Sequence, residues 1–126
     1  ALNDGVLMKP YLVDHIQNHD GEVVTQNEPE QAKQLLSTEE AAVLRRYMRE
    51  TVTSGTATAL SSSNYKAGGK TGSAQYKAGS SDSHAWFAGY AAKGEKKLVV
   101  SIIVEGAGTG SAYAVPIARK IFDQYF

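Results

Sequence analysis

Two segments carry apolar residues at helical spacing, and the stretch between them carries strand-like runs. In residues 37–53, Ala41, Leu44, Tyr47, Met48 and Val52 recur every few positions and share one side of a helix. Arg45, Arg46, Arg49 and Glu50 fall mostly opposite. Ser37-Thr38-Glu39-Glu40 opens the segment with the spacing of a capping box, and Ser54-Gly55 stops it. The pattern predicts a helix to about Thr53 with Tyr47 and Met48 in the core. Ile117, Ala118, Ile121, Phe122 and Tyr125 make a second stripe. It follows Pro116, which a first helical turn tolerates.

Between these helices, residues 65–76, 85–91 and 98–104 read as strands. The last is a continuous run rich in β-branched residues, which predicts burial on both faces. Lys93-Gly94-Glu95-Lys96 makes a tight turn, so these strands pair antiparallel and the final helix covers one sheet face. Residues 56–63, 76–83 and 106–110 read as a connector, a flexible loop and a glycine-rich connector. Upstream the pattern is weaker. Residues 1–5 read as a helix end stopped by Gly5, 11–16 as a strand, Asp20-Gly21 as a hairpin turn and 22–25 as the return strand. Residues 27–30 form a loop, and 31–36 suit a short helix or a strand equally. The fold class is α+β: an antiparallel sheet of about three strands plus an N-terminal hairpin, packed by the C-terminal helix.

The 126 residues suffice for one core. Thirteen basic residues balance thirteen acidic ones, which gives no field for nucleic acid or an anionic membrane. Cysteine is absent, so disulfides are excluded. No apolar run approaches the length of a membrane span. The start at Ala1, in what reads as a helix end, suggests a piece of a longer protein. His15 and His19 lie in a β-like segment, too far apart to share a metal, and Ile16 stands where the zinc-protease motif needs glutamate. The pair is read as solvent-exposed hairpin histidines.

The candidate chemistry lies in Ala67-Gly68-Gly69-Lys70-Thr71-Gly72-Ser73. On a strand at a cleft mouth, Gly72 lets a substrate backbone approach the strand edge. Thr71 can donate a hydroxyl to a carboxylate, Lys70 holds positive field over it, and the Ser73 N–H can help bind an oxyanion. The bland alternative is a polar turn. A phosphate-binding loop fails, because its first glycine would fall on Asn64.

These residues sit in a wider pattern. ALNDGVLMKPYLV, STEEAAVLRRYMRETVTSGTA, AGGKTGSAQ, HAWFAGY, VVSIIVEG and AVPIARKIF span nearly the whole chain. Together they resemble the C-terminal part of a penicillin-binding transpeptidase domain of the class B type. Ser73 departs from the threonine of many relatives but keeps a hydroxyl. The resemblance implies a serine D,D-transpeptidase that needs no metal or organic cofactor. Its serine attacks the penultimate D-Ala carbonyl of a peptidoglycan stem peptide, passes the acyl group to another stem, and is trapped by β-lactams. Lys70 and Ser73 would then be catalytic, and Thr71, Gly72 and Ser73 would bind substrate. The family's Ser-x-x-Lys nucleophile and its Ser-x-Asn motif lie upstream, and residues 1–126 begin after both. Ser63-Asn64-Tyr65-Lys66 and Ser62-Ser63-Asn64 imitate them. An extended chain, however, sets Ser63 about 23 Å from Lys70, and catalysis needs contact.

The implied partners are the missing N-terminal part of the domain, the stem peptide and β-lactams, with no nucleic acid. The implied location is the extracytoplasmic face of a bacterial membrane, with the anchor outside this piece. The piece alone is expected to be inactive and to expose an apolar patch. A β-lactam-sensing receptor domain or a class D-like β-lactamase uses similar motifs.

Overall fold

A computed structural model describes residues 1–76 and 82–126; most of the loop expected over 76–83 lies outside the described residues. The chain divides into two compact units, residues 1–42 and 43–126.

The first unit holds two antiparallel pairs. Strand β1 (Val6–Met8) pairs with β4 (Gln31–Gln34), and β2 (His15–Gln17) pairs with β3 (Val23–Gln26). The β2–β3 hairpin turns through Gly21 at φ +84°, as Asp20-Gly21 predicts. Residues 31–34 become a strand because β1 offers a partner, information absent from the local pattern. The strand expected from residue 11 begins only at His15. The helix end expected over residues 1–5 is a turn. Gly5 ends it at φ +85°, where a Cβ would lie 2.0 Å from the Leu36 carbonyl oxygen. His15 and His19 each contact the neighbouring aspartate, Asp14 and Asp20.

Helix α1 (Thr38–Thr53) begins in the first unit and runs into the second. Its capping box forms as expected: Ser37 N–H donates to Glu40 Oε2 at 2.8 Å, and Glu40 N–H to Ser37 Oγ at 3.2 Å. Of its apolar residues Val52 is fully buried, whereas Tyr47 is 55% exposed, with the Arg46 guanidinium over its ring. The core position expected for Tyr47 is therefore wrong.

The second unit is built on a three-stranded antiparallel sheet in the order β5 (Lys66–Gln75), β6 (Ser83–Lys93), β7 (Lys96–Val104). Helix α2 (Ala114–Tyr125) packs on β6 and β7. Ala85, Phe87 and Ala91 of β6 and Ile102 of β7 form a buried cluster with Leu60, Val115, Ala118 and Phe122. Two expectations fail by a shift of face. Strand β7 is not buried on both faces: Ile102 is buried, but Val99 is 67% and Ile103 44% exposed. Helix α2 buries Ala114, Val115, Ala118 and Phe122, leaving Ile117, Ile121 and Tyr125 outside. Its apolar arc is wider than one line of contact, and Val115 rather than Ile117 takes the inner side. Trp86, Val99 and Ile103 form the expected exposed apolar patch, on the sheet face opposite Phe87.

A polar clamp holds α2 to the start of β5. Tyr65 Oη donates to Asp123 Oδ1 at 2.8 Å, and Arg119 Nε to Asp123 Oδ2 at 2.6 Å. Arg119 also donates to the carbonyls of Ala59 and Ser61. Burial, and then the bond to Asp123, push the Tyr65 phenol up to about 12. The hydrogen bonds from Arg119 and Tyr65 hold the Asp123 carboxyl below the usual carboxylate range.

Candidate functional site

Lys70, Thr71, Gly72 and Ser73 lie on β5, opposite Ala88, Phe87, Trp86 and Ala85 of β6. Among the described residues strand β5 is an edge, paired with β6 on one side. In an antiparallel pair, alternate residues turn N–H and C=O toward the neighbour or away from it. The carbonyls of Ala67 and Gly69 turn away, since Arg49 donates to the first at 2.8 Å and Thr51 Oγ1 to the second at 2.7 Å. By the same alternation Thr71 and Ser73 also turn outward. The Thr71 carbonyl accepts the Lys70 ammonium at 2.6 Å. The Ser73 N–H has no partner among the described residues. Helix α1 thus closes the edge as far as Gly69, and among the described residues no element closes it beyond.

Residues to which the sequence assigned no role in the site shape this edge. The chain after α1 folds back on the helix, with Ala57 N–H on the Thr51 carbonyl at 2.9 Å. Gly55 is needed there, because a Cβ would lie 2.8 Å from Thr51 Cα. The fold-back delivers Thr56, whose hydroxyl lies 2.6 Å from that of Thr71. Gly110, taken as part of a plain connector, packs on β5 and β6. Its Cβ would meet the Trp86 carbonyl oxygen at 2.2 Å and the Gly72 carbonyl oxygen at 2.7 Å. The Gly110 carbonyl also accepts the Ala114 and Val115 N–H groups at the start of α2. One residue therefore joins the α2 N-terminus to the Lys-Thr-Gly backbone. The sequence signal was a Gly-x-Gly placed shortly before a proline-led helix.

Gly72 itself is not demanded by packing. A Cβ there would meet only Trp86 Cβ, at 3.3 Å. By contrast, Cβ atoms at Gly69 and Gly89 would fall 2.5 Å and 2.4 Å from the Phe87 ring. The outward face of the motif holds one ammonium, one hydroxyl and one unpaired N–H donor, and no carboxylate is bonded to Lys70 among the described residues. That set is suited to a carboxylate or an oxyanion.

The imitation motifs lie elsewhere. Ser62, Ser63, Asn64 and Lys66 line a groove of about 530 Å³ with Lys93, at the end of β5 where Lys66 pairs with Ala92. Asn64 is bonded to Lys93. Among the described residues no serine hydroxyl is hydrogen-bonded to a lysine amine.

Known proteins resemble this chain in sequence and in fold. The chain is 41% identical over 80 residues to the peptidoglycan D,D-transpeptidase MrdA of Haemophilus influenzae, covering 53% of this chain and 12% of that protein. It is 32% identical over 126 residues to the peptidoglycan D,D-transpeptidase PbpA of Mycolicibacterium smegmatis, covering 93% of this chain and 25% of that one. Among solved structures it resembles the D,D-transpeptidase domain of a peptidoglycan glycosyltransferase from Eggerthella lenta, with a TM-score of 0.73 at 33% identity. That likeness covers 97% of this chain and 29% of the other. It also resembles the imipenem acyl-enzyme complex of penicillin-binding protein A from M. tuberculosis, with a TM-score of 0.77 at 28% identity, covering 96% and 27%. The chain thus spans between about an eighth and under a third of the length of these relatives. The model of the penicillin binding protein transpeptidase domain matches residues 1–123, and the chain belongs to that family.

Proposed function

We propose that this chain is the C-terminal portion of a peptidoglycan D,D-transpeptidase domain and forms its carboxylate-binding wall. The observation that carries the reading is the opening of the β5 edge along Lys70-Thr71-Gly72-Ser73, where the Lys70 ammonium lies on the outward Thr71 carbonyl. In this reading a stem peptide adds to the open edge, and its terminal carboxylate lies between Lys70 and the Thr71 hydroxyl. Gly72 allows close approach, and the Ser73 N–H helps stabilise the oxyanion formed when a serine outside residues 1–126 attacks the penultimate carbonyl. β-Lactams, whose carboxylate imitates the substrate's, acylate the same serine. In this reading the piece is inactive alone, because the nucleophilic serine lies outside residues 1–126. The rest of the domain would cover Trp86, Val99 and Ile103. The whole protein would work at the extracytoplasmic face of a bacterial membrane, anchored outside this chain. Among the described residues no helix is long and apolar enough to cross a membrane.

The test is β-lactam acylation in the complete domain. Thr71→Val deletes one hydrogen bond to a charged group, and second-order acylation should fall roughly 10- to 150-fold. Lys70→Ala should cost at least as much, and neither change should lower the melting temperature. Normal acylation by both variants would remove the assignment.

A further inference from the structure

We infer that Thr56 is a positioning residue that sets the direction of the Thr71 hydroxyl proton. This rests on the reading of Thr71 as the carboxylate ligand. The two hydroxyl oxygens are 2.6 Å apart, and either can donate. A hydroxyl has one proton and can both give and accept, whereas an ionised carboxylate only accepts. If Thr71 gives its proton to Thr56, it has none for a substrate. A carboxylate arriving at Thr71 therefore fixes the order of the chain: Thr56 donates to Thr71, and Thr71 donates to the carboxylate. The accepted bond polarises the Thr71 O–H and strengthens the bond it makes. It also holds the oxygen in place while the proton points to the open edge.

The backbone prepares this contact. The Gly55 fold-back sets Thr56 beside β5, and Thr51 fixes the same stretch one outward position earlier, on the Gly69 carbonyl at 2.7 Å. Thr51 and Thr56 thus meet Gly69 and Thr71 in step. The first contact occupies the backbone; the second leaves a side chain poised to donate.

The experiment uses the full-length protein that carries this chain, with two probes. One is a β-lactam with its free carboxylate, the other the same β-lactam with that carboxylate esterified. Thr56→Val should slow acylation by the free acid about three- to tenfold, the share of one neutral hydrogen bond. Acylation by the ester should change little, and Thr56→Ser should restore the acid rate. In a Thr71→Val background, Thr56→Val should have no further effect. Additive losses, equal losses for acid and ester, or no rescue by serine would overturn the positioning role while leaving Thr71 as a ligand. A normal rate for Thr71→Val alone would remove both claims. Melting temperatures of all variants exclude loss through unfolding, and Thr56→Ala gives a second hydroxyl deletion if valine does not fit.

Discussion

The two halves of β5 share one strand, one partner and one composition of small residues, yet their free edges differ. Over Ala67–Gly69 the outward carbonyls are taken by Arg49 and Thr51 of α1. From Lys70 onward, among the described residues, only side chains of the motif itself and Thr56 are bonded along the edge. An unpaired strand edge invites another chain, and proteins usually cover or charge it. Here the cover stops where the ammonium and hydroxyl begin. Openness at the motif is thus a local property of the edge, maintained beside a closed stretch only a few residues away.

The largest expected effect comes from removing what both halves rest on. Phe87 is fully buried opposite Thr71, and its ring fills the space above Gly69 and Gly89. Phe87→Ala should cost about 3–5 kcal/mol of stability, read by chemical denaturation, with both halves of β5 losing amide-exchange protection together. Protection lost in one half alone would break the link.

Gly110→Ala should strike the open half from behind. The added methyl collides with the Trp86 and Gly72 backbones, and overpacking of this kind costs about 1–3 kcal/mol. β-Lactam acylation of the complete domain should fall even under conditions where the variant stays folded. A stable variant with normal acylation would show that Gly110 does not support the motif.

Arg49→Met should strike only the closed half. It frees the Ala67 carbonyl of its donor, worth about 1–2 kcal/mol, while acylation per folded molecule stays near normal. If acylation falls as far as in Thr71→Val, the two halves are not separable.

The smallest effect is on pH. Asp123 has a lowered folded pKa, so its contribution is complete above about pH 4 and fades as pH falls through the folded value. Tyr65 has a raised pKa, so its contribution is complete below about pH 10 and is lost as pH climbs toward about 12. The melting difference between the native chain and Tyr65→Phe should be flat between those limits and shrink outside them. A difference that grows at either extreme would refute the clamp.

What the sequence revealed follows the range of the interactions. The capping box at Ser37 and Glu40 is a three-residue event, and it was legible. The strands β5 to β7 and their antiparallel order were legible from composition and short turns. The inner sides of β7 and α2 were not, because an apolar arc does not say which of its lines meets a partner. Val99 and Ile103 look like core residues until the sheet has a covered face and a second face on which Tyr90 is buried but Trp86, Val99 and Ile103 are exposed. The motif's own residues could be named in advance, but Thr56 and Gly110 reach it across long stretches of chain. No local pattern encodes such contacts.

The closed stretch at Gly69 also makes β5 a slot with a blind end. A peptide laid antiparallel along the open half runs with its C-terminus toward Gly69, where Thr51 already occupies the next outward carbonyl. A chain that continued past this point would have to dislodge α1. A chain that stops there meets the Lys70 ammonium and the Thr71 hydroxyl with its last carboxylate. In the proposed reading the strand gauges where a polypeptide ends, with a bond from the Thr51 side chain to the Gly69 carbonyl made inside the protein.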